Sequence, residues 1–150
     1  MIIRGKNFLA IKKSNLRINK MKIDHIGYAV KRIDRALNFF ETLGYTFEPI
    51  IDDTDRNVKL AFGEKDGYRI ELVAPLDKKQ ISPVDQYLSN TNGTPYHICY
   101  QSKNFNKEIE QLESQGYKVV IEPKPAVAFG GRNVVFMMNI GFGLMEIVEM

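Results

Sequence analysis

Residues 25–45 read HIGYAVKRIDRALNFFETLGY, and residues 97–117 read HICYQSKNFNKEIEQLESQGY. The two segments align without a gap at an offset of 72 residues, and they share the opening histidine and isoleucine and the closing glycine and tyrosine. Self-similarity at a fixed offset is the sequence signature of a duplicated structural unit. We therefore interpret the chain as two copies of one module.

Each copy is predicted to form a strand, a helix and then three further strands. Short β-branched and aromatic runs predict the opening strands at 22–30 and 96–101. Apolar residues at helical spacing follow, and Gly44 and Gly116 supply the left-handed residue that commonly ends a helix. The later strands are predicted at 45–51, 57–62 and 68–73 in the first copy and at 117–121, 132–138 and 144–150 in the second.

The predicted fold class is α+β, with two tandem βαβββ modules that form a curved eight-stranded sheet around a cleft. Module one spans 21–75, a polar linker spans 76–93, and module two spans 94–150. A basic extension over 1–20 carries six basic and no acidic residues, whereas the rest of the chain has 15 basic and 18 acidic residues. The excess positive charge lies outside the domain, so it gives no reason to expect nucleic-acid binding there. We interpret 1–20 as an upstream extension or the product of an early start codon, with a targeting signal or a nucleic-acid-binding arm as the alternatives.

The composition is that of a folded globular domain, with 44% hydrophobic residues, 26% charged residues and a net charge of +3. No apolar run approaches the ~20 residues that cross a bilayer. We therefore expect a soluble, cytoplasmic protein without a membrane partner. The single cysteine, Cys99, cannot form an internal disulfide, which fits a reducing compartment.

Four ionisable residues recur at equivalent places in the two copies. His25 and His97 open their copies, and Glu71 and Glu146 lie between apolar residues in the last strands. One histidine or glutamate on a strand is usually structural, but four that the duplication relates are expected to face one cleft. An uncompensated buried carboxylate costs several kcal/mol, so a bound cation would explain why two of them converge.

The ordered segments DHIGYAV, RIELVAP, TPYHICY and GLMEIVE resemble the vicinal oxygen chelate superfamily. This superfamily includes glyoxalase I, methylmalonyl-CoA epimerase, extradiol dioxygenases and bleomycin-resistance proteins, and the resemblance covers residues 21–150. It implies one divalent metal ion, Ni²⁺, Co²⁺ or Zn²⁺, held in the cleft with water completing an octahedron. Modules of this family pair within one chain or across a dimer, so the sequence leaves open whether the protein is a homodimer. The implied metal ligands are His25, Glu71, His97 and Glu146.

That ligand set favours proton transfer over oxygen chemistry. A non-haem iron oxygenase needs two histidines and one carboxylate with open positions, and a fourth ligand at Glu71 works against this. The set suits a Lewis acid that holds an enediolate while a carboxylate moves a proton. The preferred function is glyoxalase I-like isomerisation of a thiol adduct of methylglyoxal, with Glu146 as the base and Glu71 as the symmetric second candidate.

Two alternatives stay open. The resemblance places a second catalytic glutamate of methylmalonyl-CoA epimerases in the middle strand of the first module, where this chain has Lys59. A cation is a poor base, which disfavours an acyl-CoA substrate unless Asp53 or Asp55 supplies the acid. The other alternative is a metal-free protein that binds a drug or another small molecule, and the presence of all four ligand types weighs against it.

Three further residues are predicted to contact the substrate. Arg132 follows a Gly-Gly pair that resembles the mobile loop of the family, and Arg56 lies at the corresponding place in the first module. An arginine can bind a substrate carboxylate with two parallel hydrogen bonds, and a solvated turn is the equally weighted alternative. Cys99 shares a strand face with His97 and is expected to line the cleft as a small packing residue.

Overall fold

The computed structural model describes residues 17, 18 and 20–150. Two α-helices, nine strands and two short 3₁₀ turns occur within these residues. Module one comprises β1 (Lys22–Val30), α1 (Ile33–Thr42), β2 (Thr46–Phe47), β3 (Ile51–Asp53), β4 (Val58–Lys65) and β5 (Tyr68–Pro75). Module two comprises β6 (Gly93–Ser102), α2 (Phe105–Ser114), β7 (Lys118–Pro125), β8 (Asn133–Asn139) and β9 (Gly143–Glu149), and the 3₁₀ turns are Asp85–Tyr87 and Val127–Phe129.

The strands form one sheet in the order β2-β4-β5-β1-β6-β9-β8-β7, with β3 also paired to β4. The opening strands β1 and β6 pair antiparallel in the centre, and each pairs in parallel with the last strand of its own module. The sheet is curved and open, so the predicted α+β architecture of two modules is confirmed. Both helices end where the sequence indicates, since Gly44 and Gly116 adopt φ of +91° just beyond them.

The strand count differs from the prediction at one place. Residues 45–51 were predicted as a single strand, but β2 and β3 are separate and both pair with β4. Pro49 lies between them and has no N–H to donate to a ladder. The sheet therefore has nine strands within the described residues instead of eight.

Alternation along the strands decides which side chains face the helices and which face the concave side of the sheet. In module one, Ala61, Ile70 and Leu72 pack with α1. Their neighbours Leu60 and Val73 belong to a central cluster that joins the two modules. The same alternation in module two places Val135, Met137, Met145 and Ile147 against α2. Glu71 and Glu146 therefore lie on the face that the helices leave free.

The basic extension predicted over 1–20 lies almost wholly outside the described residues. Ile18 is described, and together with Met21 it packs against the cluster beneath α2. Among the helices of the described part, none is long and apolar enough to cross a membrane.

Candidate metal centre

The structure brings the four predicted ligands together on the concave face. His25 lies on β1, Glu71 on β5, His97 on β6 and Glu146 on β9, and all four are buried. The two Nε2 atoms are 3.0 Å apart. Glu71 Oε2 lies 3.3 and 3.6 Å from the Nε2 atoms of His25 and His97, and Glu146 Oε2 lies 3.4 and 3.2 Å from them. One chain supplies the whole cluster, so no second copy is needed to complete it.

The spacing of these atoms suits one divalent ion. Nitrogen and oxygen ligands lie ~2.0–2.2 Å from such an ion, so neighbouring ligand atoms are about 3.0 Å apart at octahedral angles and about 3.4 Å apart at tetrahedral angles. The two imidazole nitrogens are 3.0 Å apart, and the imidazole and carboxylate atoms are 3.2–3.6 Å apart, which is close to these values. Two imidazoles with two carboxylates form a donor set that first-row divalent ions accept. The residues present therefore fit a divalent metal ion.

Two buried polar atoms of the cluster lack hydrogen-bond partners within the described part of the chain. They are Oε2 of Glu146 and Nδ1 of His97. A buried carboxylate oxygen without a donor carries a desolvation cost of several kcal/mol. A cation among the four side chains would remove that cost for Glu146.

The charges of the cluster are strongly coupled. Burial by itself lowers the pKa of His25, but the negative charge of Glu71 and the hydrogen bond to Asp24 outweigh it and hold that pKa well above its ordinary value. Burial by itself raises the pKa of Glu146, but the close approach of the His25 and His97 imidazoles holds it well below its ordinary range. Without a metal ion, His25 therefore keeps a proton at neutral pH beside ionised Glu146.

We expect divalent metal binding to release about one proton per ion near pH 7. The raised pKa means that His25 is protonated in the metal-free protein, and its Nε2 must be deprotonated before it can bind a cation. Affinity should therefore rise with pH. Calorimetric titration with Zn²⁺ in buffers of different ionisation enthalpy measures the released protons, and a buffer-independent enthalpy would contradict the expectation.

A glycine makes room for His97. Gly27 lies directly opposite His97 in the β1–β6 pair, and a Cβ atom added to it would overlap the imidazole ring. The duplication places Cys99 at the corresponding position of module two, opposite His25. Sequence reasoning missed Gly27, although the aligned motifs HIG and HIC differ at this residue.

A cavity of about 580 Å³ adjoins the cluster, and both Glu71 and Glu146 line it. This volume is in the usual range for small-molecule sites. Polar groups at the cavity include Asp53, Asp55 and Tyr96. Most of its wall is apolar and comes from both modules, including Val58, Leu60, Val73, Ile121, Phe129, Val134, Phe136 and Met138.

Arg56 lines the cavity and joins its two walls. Its Nη1 donates to Oδ2 of Asp53 at 3.0 Å and to the carbonyl oxygen of Pro125 at 2.9 Å, and its Nη2 donates to the carbonyl oxygen of Lys124 at 3.2 Å. The guanidinium group thus links the turn after β3 to the end of β7. Substrate contact by Arg56 stays a prediction, and it would compete with these bonds.

The other two predicted substrate contacts lie away from the cavity wall. Cys99 is fully buried in the central cluster, and burial raises the pKa of its thiol well above the ordinary value. Arg132 donates from Nε to the carbonyl oxygen of Phe129 at 3.1 Å and from Nη1 to that of Glu149 at 3.3 Å. Substrate contact by Cys99 or Arg132 stays a prediction.

Lys59 does not occupy a position that faces the cavity. It lies on β4 between Val58 and Leu60, which both line the cavity, so its side chain projects from the opposite face. The acids Asp53 and Asp55 do line the cavity. The expectation that Lys59 takes the place of a second base was therefore wrong about the geometry, because Lys59 and the cavity lie on opposite faces of β4.

A two-module sheet that carries two histidines and two glutamates on its concave face defines a vicinal oxygen chelate protein with a candidate metal centre. A family model described as Glyoxalase/Bleomycin resistance protein/Dioxygenase superfamily matches residues 24–136, and the chain belongs to this family.

Relatives include both an uncharacterised protein and an epimerase. The chain is 27% identical to uncharacterized protein YqjC of Bacillus subtilis (strain 168), over 77% of this chain and 81% of YqjC. The solved structure of hypothetical protein BH1468 from Bacillus halodurans C-125 matches with a TM-score of 0.76 and 28% identity, over 87% of this chain and 95% of that chain. Methylmalonyl-CoA epimerase from Mycobacterium tuberculosis matches with a TM-score of 0.72 and 25% identity, over 85% and 86%.

Proposed function

We propose that the protein is a metal-dependent enzyme that moves a proton at a carbon atom next to a carbonyl group. The observation that carries this proposal is the environment of Glu146. Its Oε2 is buried without a hydrogen-bond partner among the described residues, and it lies 3.2 and 3.4 Å from two imidazoles beside the cavity. A carboxylate placed in this way can accept a proton from a bound molecule.

The roles of the side chains follow from their positions. His25, Glu71, His97 and Glu146 would hold the ion, and the ion when bound would act as a Lewis acid toward the substrate carbonyl. The apolar wall would bind the carbon skeleton of the substrate and limit the access of water to the reacting atoms. Glu146 would accept the proton at its carboxylate group, which lines the cavity.

Epimerisation of an acyl-CoA thioester is the first candidate reaction. It requires a proton to leave one face of a carbon atom and return to the other face. Glu71 and Glu146 come from β5 and β9, which flank the central β1–β6 pair on opposite sides. Lys59, the residue that disfavoured this reaction, lies on the other face of the sheet. The similarity to methylmalonyl-CoA epimerase adds support.

Glyoxalase I-like isomerisation is the second candidate, and the state of Asp53 favours it. Asp53 accepts hydrogen bonds from the backbone N–H and the guanidinium group of Arg56, so it is a poor additional base. In this reaction one carboxylate takes the proton from the carbon that carries the sulfur atom and the hydroxyl group. It returns that proton to the neighbouring carbonyl carbon, while the hydroxyl proton moves to the carbonyl oxygen, so the thiohemiacetal becomes a 2-hydroxy thioester without gain or loss of atoms.

We expect Zn²⁺-, Co²⁺- or Ni²⁺-loaded protein to incorporate deuterium at C2 of methylmalonyl-CoA in D₂O, and the chelator-treated protein to be inactive. The same preparations are assayed with methylglyoxal and glutathione by the absorbance of the thioester product. Turnover of the second substrate alone would overturn epimerisation in favour of isomerisation. Failure to bind any of the three metal ions would overturn the metal-dependent function and favour a metal-free binding protein.

A further inference from the structure

Asp24 lies directly behind His25. Its Oδ1 is 2.7 Å from Nδ1 of His25, the ring nitrogen opposite the one that faces the cluster, and the Asp24 side chain is only 7% exposed. Metal-bound histidines usually donate their second N–H to such a group, which fixes the tautomer and the direction of the ring. The sequence prediction did not include Asp24.

A β-bulge brings these two neighbours together. Adjacent residues on a regular strand point to opposite faces, so Asp24 would ordinarily point away from His25. The β1–β6 register shifts at this point, with Ile23 opposite Tyr100 and His25 opposite Cys99, which leaves Asp24 as the extra residue. Bulges redirect side chains and are frequent beside functional sites.

The Asp24 carboxylate is held from the strands on both sides. Arg69 on β5 donates from Nη1 to Oδ1 at 2.9 Å, and Gln101 on β6 donates from Nε2 to Oδ2 at 2.6 Å. The Arg69 guanidinium group also lies 3.8 Å from the centre of the Phe62 ring, and Phe62 meets the His25 ring edge-on. The ring of His25 is therefore fixed by a carboxylate and by an aromatic neighbour.

The equivalent position in module two lacks a carboxylate. A second register shift leaves Tyr96 as the extra residue immediately before His97. Tyr96 meets the His97 ring edge-on at a centroid distance of 4.5 Å, and Nδ1 of His97 has no hydrogen-bond partner in the described chain. The two halves thus share the bulge, but only the first uses it to hydrogen-bond its histidine.

We propose that Asp24 is a positioning residue that accepts the Nδ1–H of His25 and keeps its Nε2 lone pair directed at the metal ion. The inference rests on the metal centre proposed above. It assigns to module one the better oriented of the two histidines, and it gives Arg69 and Gln101 the role of holding Asp24 in place.

The test is Zn²⁺ affinity, measured by competition with a chromophoric chelator. Asp24→Ala should weaken binding by about 10–100-fold, the range known for such partners. It should also remove the slowly exchanging Nδ1–H resonance of His25 from the NMR spectrum of the zinc-loaded protein. Asp24→Asn, which keeps an acceptor oxygen, should retain that resonance. Asp34→Ala removes an exposed carboxylate from α1 and serves as the matched control with unchanged affinity.

Affinity of Asp24→Ala within twofold of the wild type would overturn this inference and leave the metal centre intact. A wild-type protein that does not bind Zn²⁺ would overturn the metal centre as well. Should Asp24→Ala fail to fold, Gln101→Met removes one of the bonds that hold Asp24. It should weaken affinity in the same direction by a smaller factor, and unchanged affinity there would count against the proposal.

Discussion

Replacing Glu146 by glutamine is expected to lower kcat for either candidate reaction by about 10²–10⁴-fold, the usual contribution of a positioned base. Glutamine keeps the shape and an oxygen that can bind a metal ion, but it cannot accept the proton. The substitution removes a proton-accepting carboxylate whose Oε2 is buried without a hydrogen-bond partner among the described residues. Turnover is measured beside metal content, so that loss of the base is separated from loss of the ion.

Glu149→Gln is the matched control for this change. Glu149 lies on the same strand, β9, three residues further along, and its carboxylate accepts a hydrogen bond from Asn133. It should leave turnover unchanged. Full activity of metal-loaded Glu146→Gln would exclude Glu146 as the base.

Glu71→Gln then separates the candidate reactions. If Glu71 and Glu146 act on opposite faces of one carbon atom, Glu71→Gln should still exchange the C2 proton of methylmalonyl-CoA with D₂O. It should no longer interconvert the two epimers.

Gly27→Ala is expected to weaken Zn²⁺ binding by more than about 100-fold, beyond the effect of losing a supporting residue. The added methyl group would overlap the His97 imidazole, which must then leave the position from which Nε2 reaches the cluster. Overpacking of this kind also costs about 1–3 kcal/mol of stability, so thermal unfolding of the metal-free protein is measured beside affinity.

Gly93→Ala is the control for a glycine on the same strand pair. A Cβ atom at Gly93 would meet Val30 at 3.4 Å and the carbonyl oxygen of Ala29 at 3.5 Å, which are ordinary contacts. This variant should bind Zn²⁺ like the wild type. Wild-type Zn²⁺ affinity in Gly27→Ala would show that the position of His97 does not depend on the absence of a side chain at residue 27. If Gly27→Ala does not fold, His97→Ala removes the same ligand without overpacking.

The repeat in the sequence contained most of the fold and the four residues of the cluster. Equivalent positions in a duplicated module occupy equivalent strands, so two histidines and two glutamates could be expected on one face. The division of residues 45–51 into β2 and β3 could also have been predicted from the sequence, because Pro49 has no N–H to donate to a β-ladder. The face on which Lys59 lies follows from its apolar neighbours at alternate positions.

Other features depend on contacts between residues distant in the sequence. Arg56 is bound by carbonyl oxygens nearly 70 residues away, a partner choice that no local pattern encodes. The role of Asp24 depends on the pairing register of two strands from different modules. The overlap at Gly27 likewise requires knowing which residue lies opposite. Such details are set by tertiary packing and not by the local sequence.

Each module contributes one histidine and one glutamate to the centre. A single module would therefore carry half of the site and would need a second, identical module to complete it. Joining the copies in one chain removes that requirement for symmetry. Each half is then free to change its own sequence while the assembly stays intact. The differences between Asp24 and Tyr96, and between Gly27 and Cys99, are consistent with such divergence. The centre can thus be described as the site of a dimer whose two halves are joined in one chain.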